Sequence, residues 1–365
     1  MTDAGVSATP ESANGPRPFR RRVLVNTAAT GAGNVWAMVV TLVALPLMLS
    51  GLGAAAFGTW VLLCTFSAIN GWISLADLGV STASTRAVAE SASLGDRRGV
   101  ATRVGSSLTL FTVLALLAAV LMATLGRRWL PPLFDTPQDL VADLQFAIVV
   151  YAAQLVPDLL TGAATSSIEG LQRVDLSRGV DAIRRTAVAA ATAVAALGGF
   201  GLRGVAIASL AMSVVGAGLA LSVLWAKLPD RHVLPDRREM RALLSYGKTV
   251  AVLRPFGVIQ RMMDRLIVGA ILGPAPVALI EIATQIQNGA DAVLSASSYA
   301  VIPSASWLRA RGDGHTLRDL LITGTKYSML ATLPFVVAPA ILAGPLVQVW
   351  VGAEYAAAAG LAVVG

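Results

Sequence analysis

Charge is scarce in this 365-residue chain. Lys, Arg, Asp and Glu make up 13% of it, about half of the roughly 25% found in soluble domains. That scarcity excludes a disordered, highly charged tail protein and argues against a water-soluble enzyme. Cysteine is all but missing. The single thiol, Cys64, lies in an apolar run, so no intramolecular disulfide can form and a thiolate-built metal cluster is excluded. His232 and His315 stand far apart in polar segments and offer no metal-ligand pair. There is no GxxxxGK[ST] phosphate loop, and the 34 glycines are dispersed rather than gathered into a phosphate cradle. Enzymatic chemistry has no visible home here, and nothing implies a cofactor.

Long apolar runs are what the chain has instead. Hydrophobic residues form 55% of it and the mean hydropathy is +0.70. A helix needs about 20 residues to cross the hydrocarbon core, and ten runs of about that length recur, at 23–49, 57–80, 104–125, 144–164, 186–201, 204–225, 244–272, 276–302, 320–343 and 346 to the last residue. The expected fold is all-α, a polytopic membrane protein with about ten transmembrane helices. The first run is too long for the apolar core of a signal peptide, so residues 1–22 read as a flexible cytoplasmic tail before an uncleaved helix.

A net charge of +7 and a pI near 10.2 would suggest nucleic acid if the basic residues were clustered. They are not; they alternate by loop. Arg17, Arg20, Arg21 and Arg22 precede the first run, Arg86, Arg97, Arg98 and Arg103 follow the second, and Arg173, Arg178, Arg184 and Arg185 follow the fourth. Lys227 to Lys248 and Arg309 to Lys326 continue the series, whereas the intervening loops hold only Arg127, Arg128 and Arg203. Cytoplasmic loops of membrane proteins carry such an excess of Lys and Arg. The alternation predicts a cytoplasmic N-terminus and removes nucleic acid as a partner.

Landmarks also repeat. Leu52-Gly53 recurs as Leu272-Gly273 and Gly95-Asp96 as Gly312-Asp313, offsets of 220 and 217. An even number of crossings per unit gives both units the same orientation. The sequence thus predicts two parallel-oriented bundles, residues 23–236 with six helices and residues 237–365 incomplete with about four, an arrangement whose site would lie between the halves near the midplane. On this reading the chain is truncated at its C-terminal end.

The stretch Leu52-Gly53-Ala54-Ala55-Ala56-Phe57-Gly58-Thr59-Trp60, with Leu75-Ala76-Asp77-Leu78-Gly79-Val80 and Arg86, resembles the first helices of bacterial polysaccharide flippases. Asp264-Arg265-Leu266-Ile267-Val268-Gly269 and Trp350-Val351-Gly352-Ala353-Glu354-Tyr355 resemble the same family in its second half. These flippases belong to the superfamily of multidrug, oligosaccharidyl-lipid and polysaccharide exporters. The resemblance implies a non-enzymatic carrier in the bacterial cytoplasmic (inner) membrane that moves a polyprenyl-pyrophosphate-linked oligosaccharide for surface polysaccharide synthesis. Its partners would be that lipid-linked glycan, membrane lipid, and the polysaccharide polymerase and glycosyltransferases of the pathway.

Polar residues inside the runs are the candidate site, because an ionisable group at the bilayer centre costs about 3 kcal/mol even on the lenient scale. Arg254, Arg261, Asp264 and Arg265 fall within about a 100° arc of the seventh helix. Their guanidinium groups suit pyrophosphate oxygens, with Asp264 a structural partner for Arg261 or Arg265. Asn26 and Asn34 share a face of the first helix; Glu281, Gln285, Asn288 and Asp291 share one of the eighth. Asn26, Asn34, Gln285 and Asn288 suit sugar hydroxyls, while Glu281 and Asp291 are candidates for Na⁺ or H⁺ coupling. Asp77 reads as a capping or ion-pairing residue, and Asp158, after Pro157, as structural. Two other functions stay open at this point, a cation-coupled multidrug extruder and a non-transporting scaffold for glycan synthesis.

Overall fold

In hydrocarbon the backbone must satisfy its own hydrogen bonds, and among the described residues every regular element is helical. The computed structural model describes residues 17–69, 71–230, 232–251, 254–288 and 314–364. Helix α1 (Arg17–Cys64) is followed by a 3-10 turn (Trp72–Asp77), α2 (Val80–Ser93) and α3 (Arg97–Leu121). A π-helical turn (Met122–Gly126) leads into α4 (Arg127–Leu133). Next come α5 (Gln138–Gly170), α6 (Val174–Leu197) and α7 (Gly201–Lys227). The remainder is α8 (Arg237–Ala251), α9 (Arg254–Leu272), α10 (274–288), α11 (Gly314–Trp350) and α12 (Ala357–Val364). Among the described residues, four segments are long and apolar enough to cross a membrane: Gly31–Cys64, Arg97–Leu133, Gln138–Gly170 and Gly201–Lys227.

Several boundaries differ from the hydropathy reading. Helix α1 takes in Arg17 to Arg22, part of the expected tail, and continues to Gly53, whose non-helical φ and ψ (75° and 166°) divide it into two helical stretches. The run at 57–80 is not one helix. It enters as the last turns of α1, leaves the helix after Cys64 and resumes at Trp72 through the 3-10 turn into α2. The break folds back on itself: Trp72 N donates to Thr65 O (2.8 Å), and Gly71 lies so close to the Thr65 carbonyl that no side chain would fit. Helix α6 starts at Val174, twelve residues before the expected start at 186, and takes in Arg178, Arg184 and Arg185, which the charge pattern had assigned to a loop. Helix α11 runs through Gly344-Pro345, where two helices had been read to meet, and stops at Trp350.

Both Leu-Gly landmarks are helix junctions of one kind. Gly53 (φ 75°) and Gly273 (φ 78°) sit between consecutive helices in a backbone conformation that glycine alone adopts freely. Pro274 then opens α10, as proline does at a first helical position.

Packing joins the early and late helices. Helix α1 lies against α6, α5 against α3 and α7, and α8 against α2 and α3. One buried cluster takes in Phe57, Leu62, Phe111, Leu155, Ile282 and Val347. At the α2–α8 crossing Gly79 and Gly247 bring two backbones together, and Arg86 stacks over the Tyr246 ring at 4.6 Å. Helix α11 is tied to α1 through a carbonyl. Pro46 has no N–H to offer Leu42 four residues earlier, and Trp350 Nε1 donates to Leu42 O at 2.8 Å in its place.

Candidate functional site

Two buried arginines, each held by one carboxylate, face adjoining cavities. The first is Arg265 on α9. Its Nε and Nη2 both reach Glu281 Oε2 of α10 at 2.7 Å, and Nη1 donates to Arg261 O at 3.1 Å. Gln285 Nε2 donates to Glu281 Oε1 (2.6 Å), and Asn288 Nδ2 to Gln285 Oε1 (3.3 Å). Arg265, Glu281, Gln285 and Asn288 are thus one hydrogen-bonded strip. Arg265 and Glu281 of this strip border a cavity of about 300 Å³ whose other walls include Thr41, Phe57, Trp60 and Cys64 of α1, Ala189 of α6 and Met262 of α9.

The second pair lies among the earlier helices. Arg184 of α6 places Nη1 3.3 Å from Asp158 Oδ1 of α5, and Gln154 Nε2 donates to Asp158 Oδ2 at 3.2 Å. All three side chains are more than nine-tenths buried. They line a cavity of about 270 Å³ that shares Thr41, Trp60, Cys64 and Ala189 with the first. Trp60 meets Tyr151 edge-on, 6.1 Å between ring centres, beside the shared wall. Arg184 reaches its position because Gly216 of α7 leaves room for its stem; a Cβ there would come within 2.5 Å of Arg184 Cγ.

The residues singled out from sequence are dispersed as follows. Arg265, Glu281, Gln285 and Asn288 come together. Arg261 and Asp264 are exposed, and the carboxylate that holds Arg265 is Glu281, not its neighbour Asp264. The reason is geometric: position 281 faces Arg265 across the α9–α10 junction, whereas 264 and 265 are 100° apart on one helix. Asn34 is exposed on α1. Asp77 accepts from Ser81 N (2.8 Å) and Ser81 Oγ (2.7 Å) at the start of α2. The side chains of Asn26 and Arg254, and all of Asp291, lie outside the described residues.

Sequence reasoning missed Arg184, because α6 opens with Asp175, Arg178, Asp181, Arg184 and Arg185, a stretch that scans as a loop. The signal was present in the spacing. Asp181 stands three and four residues before Arg184 and Arg185, Glu169 meets Arg178 at 3.7 Å, and Asp158 takes Arg184, so the charges enter the bundle in pairs. Each cavity is bordered by a guanidinium whose charge a carboxylate balances. Among the described residues no group of three His, Cys, Asp or Glu could hold a metal ion.

Residues 52–360 match the family described as polysaccharide biosynthesis protein. No curated protein sequence matches the chain. Among solved structures, the fold is similar to the inward-facing conformation of a multidrug resistance MATE family transporter of the MOP superfamily. That match has 17% identity and a TM-score of 0.69, covering 91% of this chain and 78% of that one. The outward-facing conformation of such a transporter matches with 16% identity and a TM-score of 0.63, over 94% and 77%. A MOP superfamily transporter from Pyrococcus furiosus, described by the reverse polarity of its binding pocket, matches with 17% identity and a TM-score of 0.62, over 93% and 76%. At these identities the likeness is one of fold. It makes the chain an all-α, multi-pass membrane protein, and a bacterial inner membrane is consistent with the matched family.

Proposed function

Because the chain belongs to the polysaccharide biosynthesis protein family, as a membrane transporter, we propose that it carries a polyprenyl-pyrophosphate-linked oligosaccharide across the bacterial cytoplasmic membrane. The observation that carries this reading is Arg265, a buried guanidinium on α9 that borders a cavity walled by α1, α6, α9 and α10. A pyrophosphate would take the donors that Glu281 now holds, because charge-assisted bonds to phosphate oxygens suit the planar fork of arginine. Gln285 and Asn288 continue the polar strip where sugar hydroxyls would lie. The polyprenyl tail stays in lipid. Residues 23–236 and 237–365 act as two like-oriented bundles that rock about this cavity, so that access alternates between the two sides. The carrier is not an enzyme; a polymerase and glycosyltransferases of the same pathway would supply and consume its cargo.

Transport of a fluorescent lipid-linked oligosaccharide in proteoliposomes tests this. Arg265→Gln with Glu281→Gln, which removes both charges together, is expected to abolish transport while the protein still inserts and purifies as a folded species. Undiminished transport by that variant would refute the assignment of Arg265. Uptake of cationic drugs without lipid transport would favour the multidrug alternative.

A further inference from the structure

We propose that Arg184 and Gln154 form a second anion subsite, one that takes a phosphoryl group of the transported headgroup in exchange for Asp158. This rests on the reading above and adds to it a station among the earlier helices that the charge pattern of the sequence concealed.

Four observations carry it. Arg184 is 7% exposed, ten residues into α6, or about 15 Å along the helix. Burying a guanidinium there is unfavourable unless its donors are used. Second, they are only partly used. Among the described residues Nη1 makes one bond, at 3.3 Å, Nε has no hydrogen-bond partner, and the Asp181 carboxylate is 4.0 Å away. Arg265, by contrast, grips its carboxylate with two nitrogens at 2.7 Å. Third, Gln154 Oε1 is also buried and without a partner, so a hydroxyl of a protonated phosphate or an adjoining sugar would have an acceptor there. Fourth, the Arg184 cavity and the Arg265 cavity share four wall residues, Thr41, Trp60, Cys64 and Ala189, so an anion leaving one arginine needs to pass only this neck to meet the other.

A bond held merely to stabilise the bundle would be better made by packed apolar side chains. A loosely held guanidinium with spare donors is suited to exchange instead. Asp158 keeps it neutral while the subsite awaits an anion and becomes the competitor that the anion displaces.

The test is equilibrium binding to the full chain in lipid nanodiscs, with a polyprenyl diphosphate and inorganic pyrophosphate as separate probes. The neutral pair Asp158→Asn with Arg184→Gln removes both charges and keeps polar side chains at both positions. It is expected to lower affinity for the lipid about tenfold, the size of one charge-assisted hydrogen bond, with an unchanged melting temperature. Asp158→Asn alone is expected to raise affinity, which a purely structural role would not do; should that variant not fold, the neutral pair decides. Arg265→Gln with Glu281→Gln serves as the second arm. If the Asp158/Arg184 variant binds as wild type while the Arg265/Glu281 variant does not, the subsite is overturned and the main reading stands. If both bind as wild type, both fall. Inorganic pyrophosphate binding with the same dependence on Arg184 supports the subsite and assigns it to the free anion; binding of the lipid alone supports it as a headgroup station.

Discussion

The carbonyl of Leu42 gives a direct measure of how α11 is fastened to α1. In a helix this oxygen would accept from the backbone N–H at position 46, but that residue is proline, and the indole of Trp350 fills the role at 2.8 Å across 308 positions of sequence. Trp350→Phe keeps most of the ring and removes the donor, which leaves a part-buried acceptor unsatisfied at about 1–3 kcal/mol. Pro46→Ala restores the intrahelical N–H, so in that background the same Trp350→Phe change is expected to destabilise by about 1 kcal/mol less. The double variant should therefore be more stable than the sum of the singles predicts. A convenient assay is thermal unfolding in detergent, read by a thiol-reactive dye at Cys64, the one cysteine of the chain, at a fixed scan rate because such unfolding is irreversible. Strictly additive effects would show that α11 does not lean on the carbonyl that Pro46 leaves free.

Glycine variants separate backbone strain from close approach at the α2–α8 crossing. Gly79 and Gly199 share a φ of 74°, but a Cβ on Gly79 would lie 2.5 Å from Gly247 O, whereas one on Gly199 meets nothing within 4 Å. Alanine at 199 is expected to destabilise by about 1–2 kcal/mol and alanine at 79 by about 1–3 kcal/mol more; equal unfolding temperatures would refute the crossing. Gly216→Ala should displace the Arg184 stem, weaken lipid-diphosphate binding severalfold and destabilise by about 1–3 kcal/mol, since the crowded atoms are the first methylenes of a buried side chain. Cys64 lines both cavities, so its labelling by a small methanethiosulfonate should slow when a lipid diphosphate is bound. Unchanged labelling would place the ligand elsewhere.

How much of this was legible beforehand depended on which physical signal each feature left in the chain. Apolar runs gave the helices, because lipid enforces length, and Leu52-Gly53 and Leu272-Gly273 were visible because both junctions need a positive φ. Arg265 stood out as a charge in an apolar helix. Its partner did not, since nothing local distinguishes Glu281, sixteen residues on, from the adjacent Asp264. The break after Cys64 was hidden for the opposite reason: Cys64, Phe66 and Ile69 keep the hydropathy high while the turn is built from side-chain and backbone hydrogen bonds, such as Thr65 Oγ1 to Leu62 O at 2.6 Å. The first twelve residues of α6 were read as a loop because hydropathy counts charges singly, whereas the fold admits them as pairs drawn from α5 and α6.

That pairing has a consequence for stability which separates it from transport. Asp158 and Arg184 are 4% and 8% exposed at their side chains, and removing one member strands the other in a poorly solvating interior. Asp158→Ala or Arg184→Ala alone is expected to destabilise by about 3–5 kcal/mol, whereas replacing both by apolar residues of similar volume, Asp158→Leu with Arg184→Met, is expected to be neutral or stabilising. The half-buried pair of Asp181 and Arg185, at 3.5 Å with 27% and 39% side-chain exposure, should contribute less, about 1 kcal/mol or under. Unfolding of the purified variants measures all four. A stable apolar double variant that has lost transport would mean that α6 carries its buried charge for the cargo and at the expense of the fold. If that variant were instead the least stable, the pair would be a structural strut, and the reason for a guanidinium at position 184 would have to be sought in packing against Gly216.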